Sequence, residues 1–283
     1  MKSNIIIWIA LFLSVNIYAQ EGKKLVILHV NDTHSRIEPM PDNDSRNPNQ
    51  GGMIRNEAYI QSVRSENPDV LVLHAGDFVQ GTPYFNMFKG EVEVALMNQT
   101  KYDAICIGNH EFDYGFPVME KMFKQANFPI IATNYDFSET PIKGLTEEYL
   151  ILERNGLNIG IIGIGIDPEG LVASNNYTGL KYLSPVETAN KVAFFLKHQK
   201  KCDMVICLSH LGYNSDIQFA KKTSNIDIII GAHSHTFMIN PYWTENAEGK
   251  KVLINQMGKS GIYVGRLDVS LSELKTGLSQ KGK

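Results

Sequence analysis

Five short apolar segments recur along the chain, and they constrain its fold more than any other feature of the sequence. They read LVILHV (25–30), VLVLHA (70–75), AICI (104–107), MVICL (204–208) and IDIII (226–230). Most are apolar at consecutive positions rather than at alternate ones, which is typical of strands buried on both faces of a sheet. We therefore predict a largely parallel sheet that is covered on both sides by other layers.

Three segments between these strands have the periodicity of helices. The segment IRNEAYIQSVRSEN is predicted to end before Pro68, and GFPVMEKMFKQANF has Pro117 at its predicted first helical position. The segment SPVETANKVAFFLKHQ opens with Ser184 and Glu187 at the spacing of a capping box. Alternating strands and helices predict an α/β fold with layered architecture.

Antiparallel strands are also predicted. The segment EEYLILERNGLNIGIIGIGI reads as two strands around Asn155 and Gly156, a dipeptide that favours a tight hairpin turn. The segment KVLINQMGKSGIYVGRLDVSL, at residues 251–271, reads as two further strands. We therefore expect mixed sheets in a layered sandwich.

The first 19 residues have the pattern of a signal peptide. Lys2 precedes the apolar stretch IIIWIALFLSV, and the predicted cleavage follows Ala19. A retained membrane anchor is the alternative, but the stretch is short for a membrane span. We expect an exported protein, periplasmic or extracellular, with no membrane segment in its mature form. One domain is predicted over residues 24–271, followed by a short tail over 272–283.

Charge and cysteine content narrow the possible partners. The net charge is −3 with both signs scattered, so the sequence has no basic surface of the kind that binds nucleic acid. The mature chain has Cys106, Cys202 and Cys207, and this odd number at irregular spacing is not a disulfide framework. We interpret them as small buried apolar residues.

Polar side chains that can bind a metal ion or take part in catalysis follow each apolar strand at the point where it ends. In parallel α/β sheets these ends share one edge, and ligands bind there. Any one motif alone has a structural explanation, such as a turn or a capped helix start. The occurrence of such motifs after all five strands, at one predicted edge, favours a common site instead. His29, His74 and His198 lie elsewhere, and we interpret them as structural. The residues at this edge are Asp32, His34, Asp77, Asn109, His110, His210, His233 and His235.

The types of side chain indicate a metal site. Carboxylate, imidazole and amide oxygen without thiolate suit a hard or borderline divalent ion, namely Mn, Zn, Fe or Co. The candidate ligands are too many for one ion. Two ions that share a carboxylate, roughly 3.5 to 4 Å apart, are the economical arrangement.

The motifs resemble those of a known family. DTH, GDFVQG, GNHEFDYG, SHLG and GAHSHT occur in the order typical of calcineurin-like metallophosphoesterases. The wider sequence, including GGMIRN, ATNYDF and NQMGKSGIYVGRLDV, is similar to the catalytic domain of bacterial 5'-nucleotidases. The resemblance covers nearly all of the mature chain. It implies a metallophosphoesterase-like α/β/β/α sandwich with mixed central sheets as the catalytic domain.

The resemblance also implies a role for each matching residue. One metal would be held by Asp32, His34, Asp77 and His235, and the other by Asp77, Asn109, His210 and His233. Asp77 would bridge the two ions. His110 would be the catalytic histidine and Asp113 the aspartate that orients it. Asn109 and His110 would contact substrate, and Arg55 is a candidate for phosphate binding or for a surface salt bridge.

The implied activity is hydrolysis of phosphomonoesters, with 5'-nucleotides converted to nucleosides and phosphate by a hydroxide that two metals activate. The alternatives are a cyclic-nucleotide or sugar-phosphate esterase of the same fold, or a non-catalytic partner subunit. Full nucleotidases of the family carry a further C-terminal domain that grips base and ribose, and the sequence does not include it. We expect either a separate chain that supplies it or a broader substrate range. No aromatic slot for a base is evident, although Phe112, Tyr114 and Tyr135 lie in or near the motif loops.

Overall fold

The computed structural model describes residues 24–277. The predicted signal peptide at residues 1–19 and residues 278–283 lie outside the described part of the chain. Within residues 24–277, no helix combines the length and the apolar character needed to cross a bilayer.

Two mixed sheets form the centre of the fold. The first has the strand order β13-β1-β2-β3-β4, in which β1 to β4 are parallel and β13 is antiparallel to β1. Its strands are β1 (Lys24–Val30), β2 (Leu71–His74), β3 (Ala104–Cys106), β4 (Ile130–Ile131) and β13 (Gly265–Ser270).

The second sheet has the order β11-β12-β10-β9-β7-β6, with antiparallel strands at its two edges and four parallel strands between them. Its strands are β6 (Leu150–Arg154), β7 (Leu157–Ile164), β9 (Met204–Ser209), β10 (Ile228–Gly231), β11 (Tyr242–Glu245) and β12 (Lys251–Asn255). A small separate pair consists of β5 (Tyr135–Asp136) and β8 (Lys181–Tyr182).

Helices cover the outer faces of the two sheets. Those on the first sheet include α1 (Met53–Glu66), α2 (Pro83–Phe88), α3 (Glu91–Thr100) and α4 (Gly115–Gln125). The second sheet carries α5 (Pro185–Phe194), which continues as a π-helical turn (Phe195–Gln199), and α6 (Tyr213–Lys222). The remaining helices are α7 (Leu271–Thr276) and two 3₁₀ turns, His110–Phe112 and Ser174–Asn176.

Three apolar layers hold the fold together. The middle layer lies between the sheets and contains residues of both, such as Ile27 and Leu73 from the first and Ile161 and Ile206 from the second. The outer layers join each sheet to its helices. Because the central strands contribute to two layers, their consecutive positions must all be apolar. The predicted α/β/β/α sandwich with mixed central sheets is confirmed.

Most of the predicted elements are present, and the hairpin is the clearest of them. Asn155 and Gly156 have φ angles of 48° and 67°, so both central residues of the turn are left-handed, as a tight hairpin requires. All five apolar segments contain strands. The helix at Pro117 begins two residues earlier than predicted, at Gly115, which places the proline in the first turn, where its missing N–H costs nothing.

The predicted tail contains an ordered helix. Ser270 and Glu273 form a complete capping box at the start of α7, whereas at Ser184 only the bond from the Glu187 N–H to the hydroxyl is present. Leu274 of α7 is buried in the layer between the sheets. The helix α7 therefore packs with the rest of the domain, and most of it lies within the segment 272–283 that the sequence analysis assigned to the tail.

Candidate metal centre

The side chains predicted to bind metal converge at the carboxyl ends of the parallel strands. We use the term candidate metal centre for Asp32, His34, Asp77, Asn109, His210, His233 and His235. Asp32, His34 and His235 form one group and Asp77, His210 and His233 another, and within each group the possible ligand atoms lie within 4.8 Å of one another. A third such group contains His34, Asp77 and His110. Both sheets contribute to the centre.

In the first group, nitrogen and oxygen atoms face a common point. The two Nε2 atoms of His34 and His235 are 2.9 Å apart. Oδ1 of Asp32 lies 3.5 Å from Nε2 of His235 and 3.9 Å from Nε2 of His34. Two imidazole lone pairs at this separation repel unless a proton or a cation lies with them, so the arrangement fits a metal ion.

The second group gives the same indication more strongly. Nδ1 of His210 lies 2.8 Å from the carbonyl oxygen of Ala75, which can only accept, so this nitrogen carries the proton. The other nitrogen, Nε2, is buried without a hydrogen bond and lies 3.0 Å from Oδ2 of Asp77. A lone pair that faces a buried carboxylate requires a positive charge between them. Burial lowers the pKa of His210, but the charge and hydrogen bond of Asp77, the Asp32 charge and the Ala75 carbonyl together raise it to about 10, so without a cation the ring takes up a second proton.

Asn109 and His233 complete this group. The Asn109 amide oxygen lies 2.9 Å from Nδ1 of His233, and the backbone N–H of His233 donates to both carboxylate oxygens of Asp32, at 3.1 and 3.0 Å. The His233 loop thereby connects the two groups. Nitrogen and oxygen donors with no thiolate fit a divalent ion.

A buried glutamate that the sequence analysis left without a role joins the first-sheet loops. Oε2 of Glu111 accepts the backbone N–H groups of Asp77 at 3.0 Å and of Gly108 at 2.6 Å, and Oε1 accepts that of Phe78 at 2.9 Å. One carboxylate therefore fastens the loop after β2 to the loop after β3. The signal in the sequence was its position inside GNHEFDYG, but the backbone partners have no local signature.

His74 and Asn31 also hold the loops that follow β1 and β2. The N–H of Gly76 donates to Nδ1 of His74 at 3.1 Å, so Nε2 carries the proton and donates to Thr33 Oγ1 at 3.2 Å. Burial lowers the pKa of His74 to about 3, which keeps the ring neutral. The Asn31 amide donates to Oδ2 of Asp32 at 2.6 Å. The structural interpretation of His74 agrees with these contacts.

His110 and Asp113 form a dyad beside the centre. Nδ1 of His110 lies 2.9 Å from Oδ2 of Asp113. The His110 side chain is 29% exposed and the Asp113 side chain is 30% exposed. Asn176 donates to the Asp113 carbonyl at 2.9 Å. Burial lowers the pKa of His110, but the Asp113 hydrogen bond and the Asp77 charge raise it above its ordinary value. The ring is thus held at one nitrogen and accessible elsewhere.

The ligand loops adopt a strained backbone. Left-handed backbone conformations cost of order 1–3 kcal/mol each for residues other than glycine. They occur where the chain must turn sharply from a strand end to present a side chain. Five members of the candidate metal centre have such conformations, with φ between 49° and 68°: Asp32, His34, Asp77, His233 and His235.

Gly108 lies where the backbone passes close to Asp77 and His210 of the centre. A Cβ atom at this position would lie 2.2 Å from Oδ1 of Asp77 and 2.6 Å from Cε1 of His210. Both distances are far below van der Waals contact. The glycine therefore allows the loop after β3 to pass between a residue of each sheet.

Arg55 is not brought into the candidate metal centre by any contact described for it. Its guanidinium donates to the backbone oxygen of Asn49 and, at 2.8 Å, to the side-chain oxygen of the same residue. With Tyr59 and Tyr263 it lines a concavity of about 420 Å³. Its role in phosphate binding stays a prediction that these contacts do not support.

Comparison with known proteins places the fold and the motifs in a family. A family model for calcineurin-like phosphoesterases matches residues 25–237. Human 5'-nucleotidase is 32% identical over 280 aligned positions, which cover 92% of this chain and 48% of the human protein. The snake venom 5'-nucleotidase of Crotalus adamanteus is 32% identical, with 93% of this chain and 47% of that protein covered. The chain spans about half the length of these curated relatives.

Solved structures agree with the sequence comparisons. A 5'-nucleotidase precursor from Thermus thermophilus has a TM-score of 0.82 and 32% identity, with 88% of this chain and 52% of that chain covered. A calcineurin-like phosphoesterase from Bacillus subtilis has a TM-score of 0.69 and 26% identity, with 87% and 84% covered. Since the family model matches most of the chain and the fold agrees with these structures, the chain belongs to the calcineurin-like phosphoesterases, a family of metal-dependent phosphoester hydrolases.

Proposed function

We propose that this chain hydrolyses phosphomonoesters and that 5'-nucleotides are its substrate class. The observation that carries the proposal is the convergence of carboxylate, amide and imidazole groups from both sheets beside the His110–Asp113 dyad. The named activity of the curated relatives, 5'-nucleotidase, supports the choice of substrate.

Two divalent ions fit the donor groups of the centre. We assign Asp32, His34, Asp77 and His235 to one ion, and Asp77, Asn109, His210 and His233 to the other. Support comes from the two groups of converging donor atoms and from the buried Nε2 of His210, which has no hydrogen-bond partner. The donor types suit Mn, Zn, Fe or Co. Such ions, when bound, supply Lewis acidity towards a phosphoryl oxygen and towards water.

The chain's own residues bind and orient the phosphoester. The Asp113 carboxylate fixes His110 through Nδ1, which leaves Nε2 as the ring nitrogen free to contact substrate. With both ring nitrogens protonated, a state that the raised pKa of His110 favours, Nε2 donates a hydrogen bond to the phosphoryl group or a proton to the leaving oxygen. The backbone N–H of His110 donates to Oδ1 of Asp77 at 2.9 Å, so the dyad and the shared carboxylate keep a fixed relation.

Export and a partner chain belong to the same proposal. The sequence of residues 1–19 supports export to the periplasm or the cell exterior. A separate polypeptide equivalent to the part of the curated relatives that this chain does not match stays the proposed partner.

A phosphate-release assay tests the function. Purified protein is stripped with chelator, reloaded with Mn or Zn, and given AMP, a cyclic nucleotide, ribose 5-phosphate and an aryl phosphate. We expect release from AMP and the aryl phosphate, loss of activity on stripping and recovery on reloading. Hydrolysis of the cyclic nucleotide yields a nucleotide and no free phosphate, so it is followed by chromatography, and faster turnover there would favour the related esterase. No hydrolysis of any of the four substrates would indicate a non-catalytic subunit.

A further inference from the structure

Two exposed aromatic rings stack on one another in the described part of the chain. The ring centroids of Phe237 and Tyr263 are 3.9 Å apart and their planes differ by 15°. Phe237 is 43% exposed and Tyr263 is 41% exposed. Burial of an aromatic side chain is strongly favourable, so a flat apolar surface left in solvent is a candidate for ligand binding.

Both rings are carried by segments fastened to the candidate metal centre. Phe237 follows His235 by two residues, which limits the separation of their Cα atoms to about 7 Å. The segment that carries Tyr263 is joined to the centre by the N–H of Ser260, which donates to the carbonyl of Asp32 at 2.8 Å. The N–H of Gly258 donates to the carbonyl of Thr236 at 3.0 Å and ties the two segments together.

Other aromatic side chains near the motif loops are less suited to receive a ring. Phe112 is fully buried and Tyr135 is 5% exposed. Tyr114 is 39% exposed, but the Lys89 ammonium lies 3.4 Å from its ring centroid and Phe85 packs against it. The aromatic residues in the motif loops therefore do not offer the free, stacked surface that Phe237 and Tyr263 provide.

We propose that the Phe237–Tyr263 pair is a stacking surface for the base of the substrate. The inference rests on the proposed function, because it places the phosphate at the candidate metal centre and the base on rings carried by the adjoining segments. Aromatic side chains stack on nucleobases with little dependence on base identity, since every base has a π-face. Residues of the catalytic domain then favour nucleotides over sugar phosphates, with weak selection between bases.

Substitution by leucine separates stacking from apolar character. Phe237→Leu and Tyr263→Leu are each assayed for kcat/KM with AMP and with ribose 5-phosphate, which lacks the base. We expect the preference for AMP over ribose 5-phosphate to fall by about 10-fold in each variant, the scale of one base–aromatic stack. Phe194→Leu is the matched control, because Phe194 is 52% exposed on α5 and is not connected to the centre.

The outcomes distinguish this inference from the proposed function. Equal losses on both substrates, or unchanged preference in both variants, would overturn the stacking surface while leaving the phosphatase intact. If the wild-type chain releases phosphate from neither substrate, the proposed function fails. Calorimetric titration with adenosine then tests the stacking surface. Binding of adenosine by the wild type and loss of that binding in Phe237→Leu would support it. Absence of adenosine binding refutes it, and Phe237→Tyr, which keeps the stack, checks that loss in the leucine variants is not misfolding.

Discussion

The two sheets contribute different chemistry to the candidate metal centre. Loops after the strands of the first sheet supply its carboxylates and its amide, Asp32, Asp77 and Asn109, together with His34. Loops after the strands of the second sheet supply imidazoles, His210, His233 and His235. The negative charge that balances divalent ions therefore comes from one sheet, while the other contributes neutral ligands.

The difference extends to how the loops are held. Asp32 and Asp77 are buried and tied down by Asn31 and Glu111, whereas the His235 side chain is 34% exposed and leads into the exposed Phe237. His210, although on the second sheet, is buried against the first through Ala75. Because ligands to each proposed ion come from both sheets, we expect metal binding to stabilise the packing of the sheets as well as the loops.

The largest effect is expected from removing the shared charge on the first sheet. In Asp77→Asn the amide keeps the shape of the side chain but removes the charge that faces both groups. We expect kcat/KM to fall by at least about 10³-fold, with fewer metal ions bound per chain. Phosphate release and elemental analysis of the purified protein measure the two effects.

Asp268→Asn is the control, because Asp268 is a partly exposed strand residue paired with Arg266. Two tightly bound metals and near-normal turnover in Asp77→Asn would show that this carboxylate does not bridge the ions.

The next largest effect concerns the dyad. His110→Ala should lower kcat by about 10² to 10⁴-fold, the scale of a general acid–base group. Metal content should stay unchanged, because we assign His110 to neither ion. His198→Ala on the surface of the second sheet's helices is the control. If the variant loses metal, or turns over at the wild-type rate, His110 has a different role.

Loosening the first-sheet loops without touching a ligand should have a smaller effect. In Glu111→Gln the amide nitrogen can only donate, so it faces a backbone N–H that has lost its acceptor. We expect metal affinity to weaken by about 10 to 100-fold, as for other groups that orient ligands. Competition with a chromogenic chelator gives the metal Kd, and Glu120→Gln, a partly exposed glutamate on α4, serves as the control. A lower melting temperature with unchanged metal Kd would limit Glu111 to a structural role.

The smallest effect should come from a buried carboxyl on the second sheet's side. Oδ1 of Asp216 accepts the Ser209 hydroxyl at 2.5 Å, while Oδ2 is buried without a hydrogen bond. Burial raises the pKa of Asp216 to about 8 from its ordinary value of 3.8. Between these values the unfolded chain releases a proton that the folded chain retains, so the free energy of unfolding falls as pH rises.

Asp216→Asn removes this proton linkage. Relative to the variant, the wild type should lose about 1–3 kcal/mol of unfolding free energy between about pH 5 and pH 8, the usual cost of a buried group left unpaired. Urea denaturation of both metal-stripped proteins across this range provides the test. Parallel pH profiles would mean that Asp216 stays ionised in the folded state.

The sequence predicts the strands and the composition of the centre because both depend on local patterns. Consecutive apolar residues mark a buried strand, and the polar residues after Val30, Ala75 and Ile107 necessarily meet if the strands are parallel. The helix α3 lacked such a signal, since a glycine precedes it in place of a capping side chain. Element ends were less predictable, as the helix at Gly115 and the helix after Ser270 show.

Contacts between distant residues could not be predicted from local patterns. Glu111 accepts backbone N–H groups 33 and 34 residues away, and neither the residue types nor the spacing encode this. The stacking of Phe237 on Tyr263 depends on the path of two loops. The hydrogen bonds described for Arg55 are with Asn49, and its role in phosphate binding stays a prediction.

Because the backbone passes so close to Asp77 and His210 at Gly108, the loop after β3 has positions that cannot be varied in protein engineering and positions that can. No side chain larger than hydrogen fits at residue 108 without displacing Asp77 or His210. A mutational library aimed at new phosphoesters therefore gains nothing by sampling that residue. Tyr114, six positions later and 39% exposed, can vary without entering the centre, so diversity is better concentrated there.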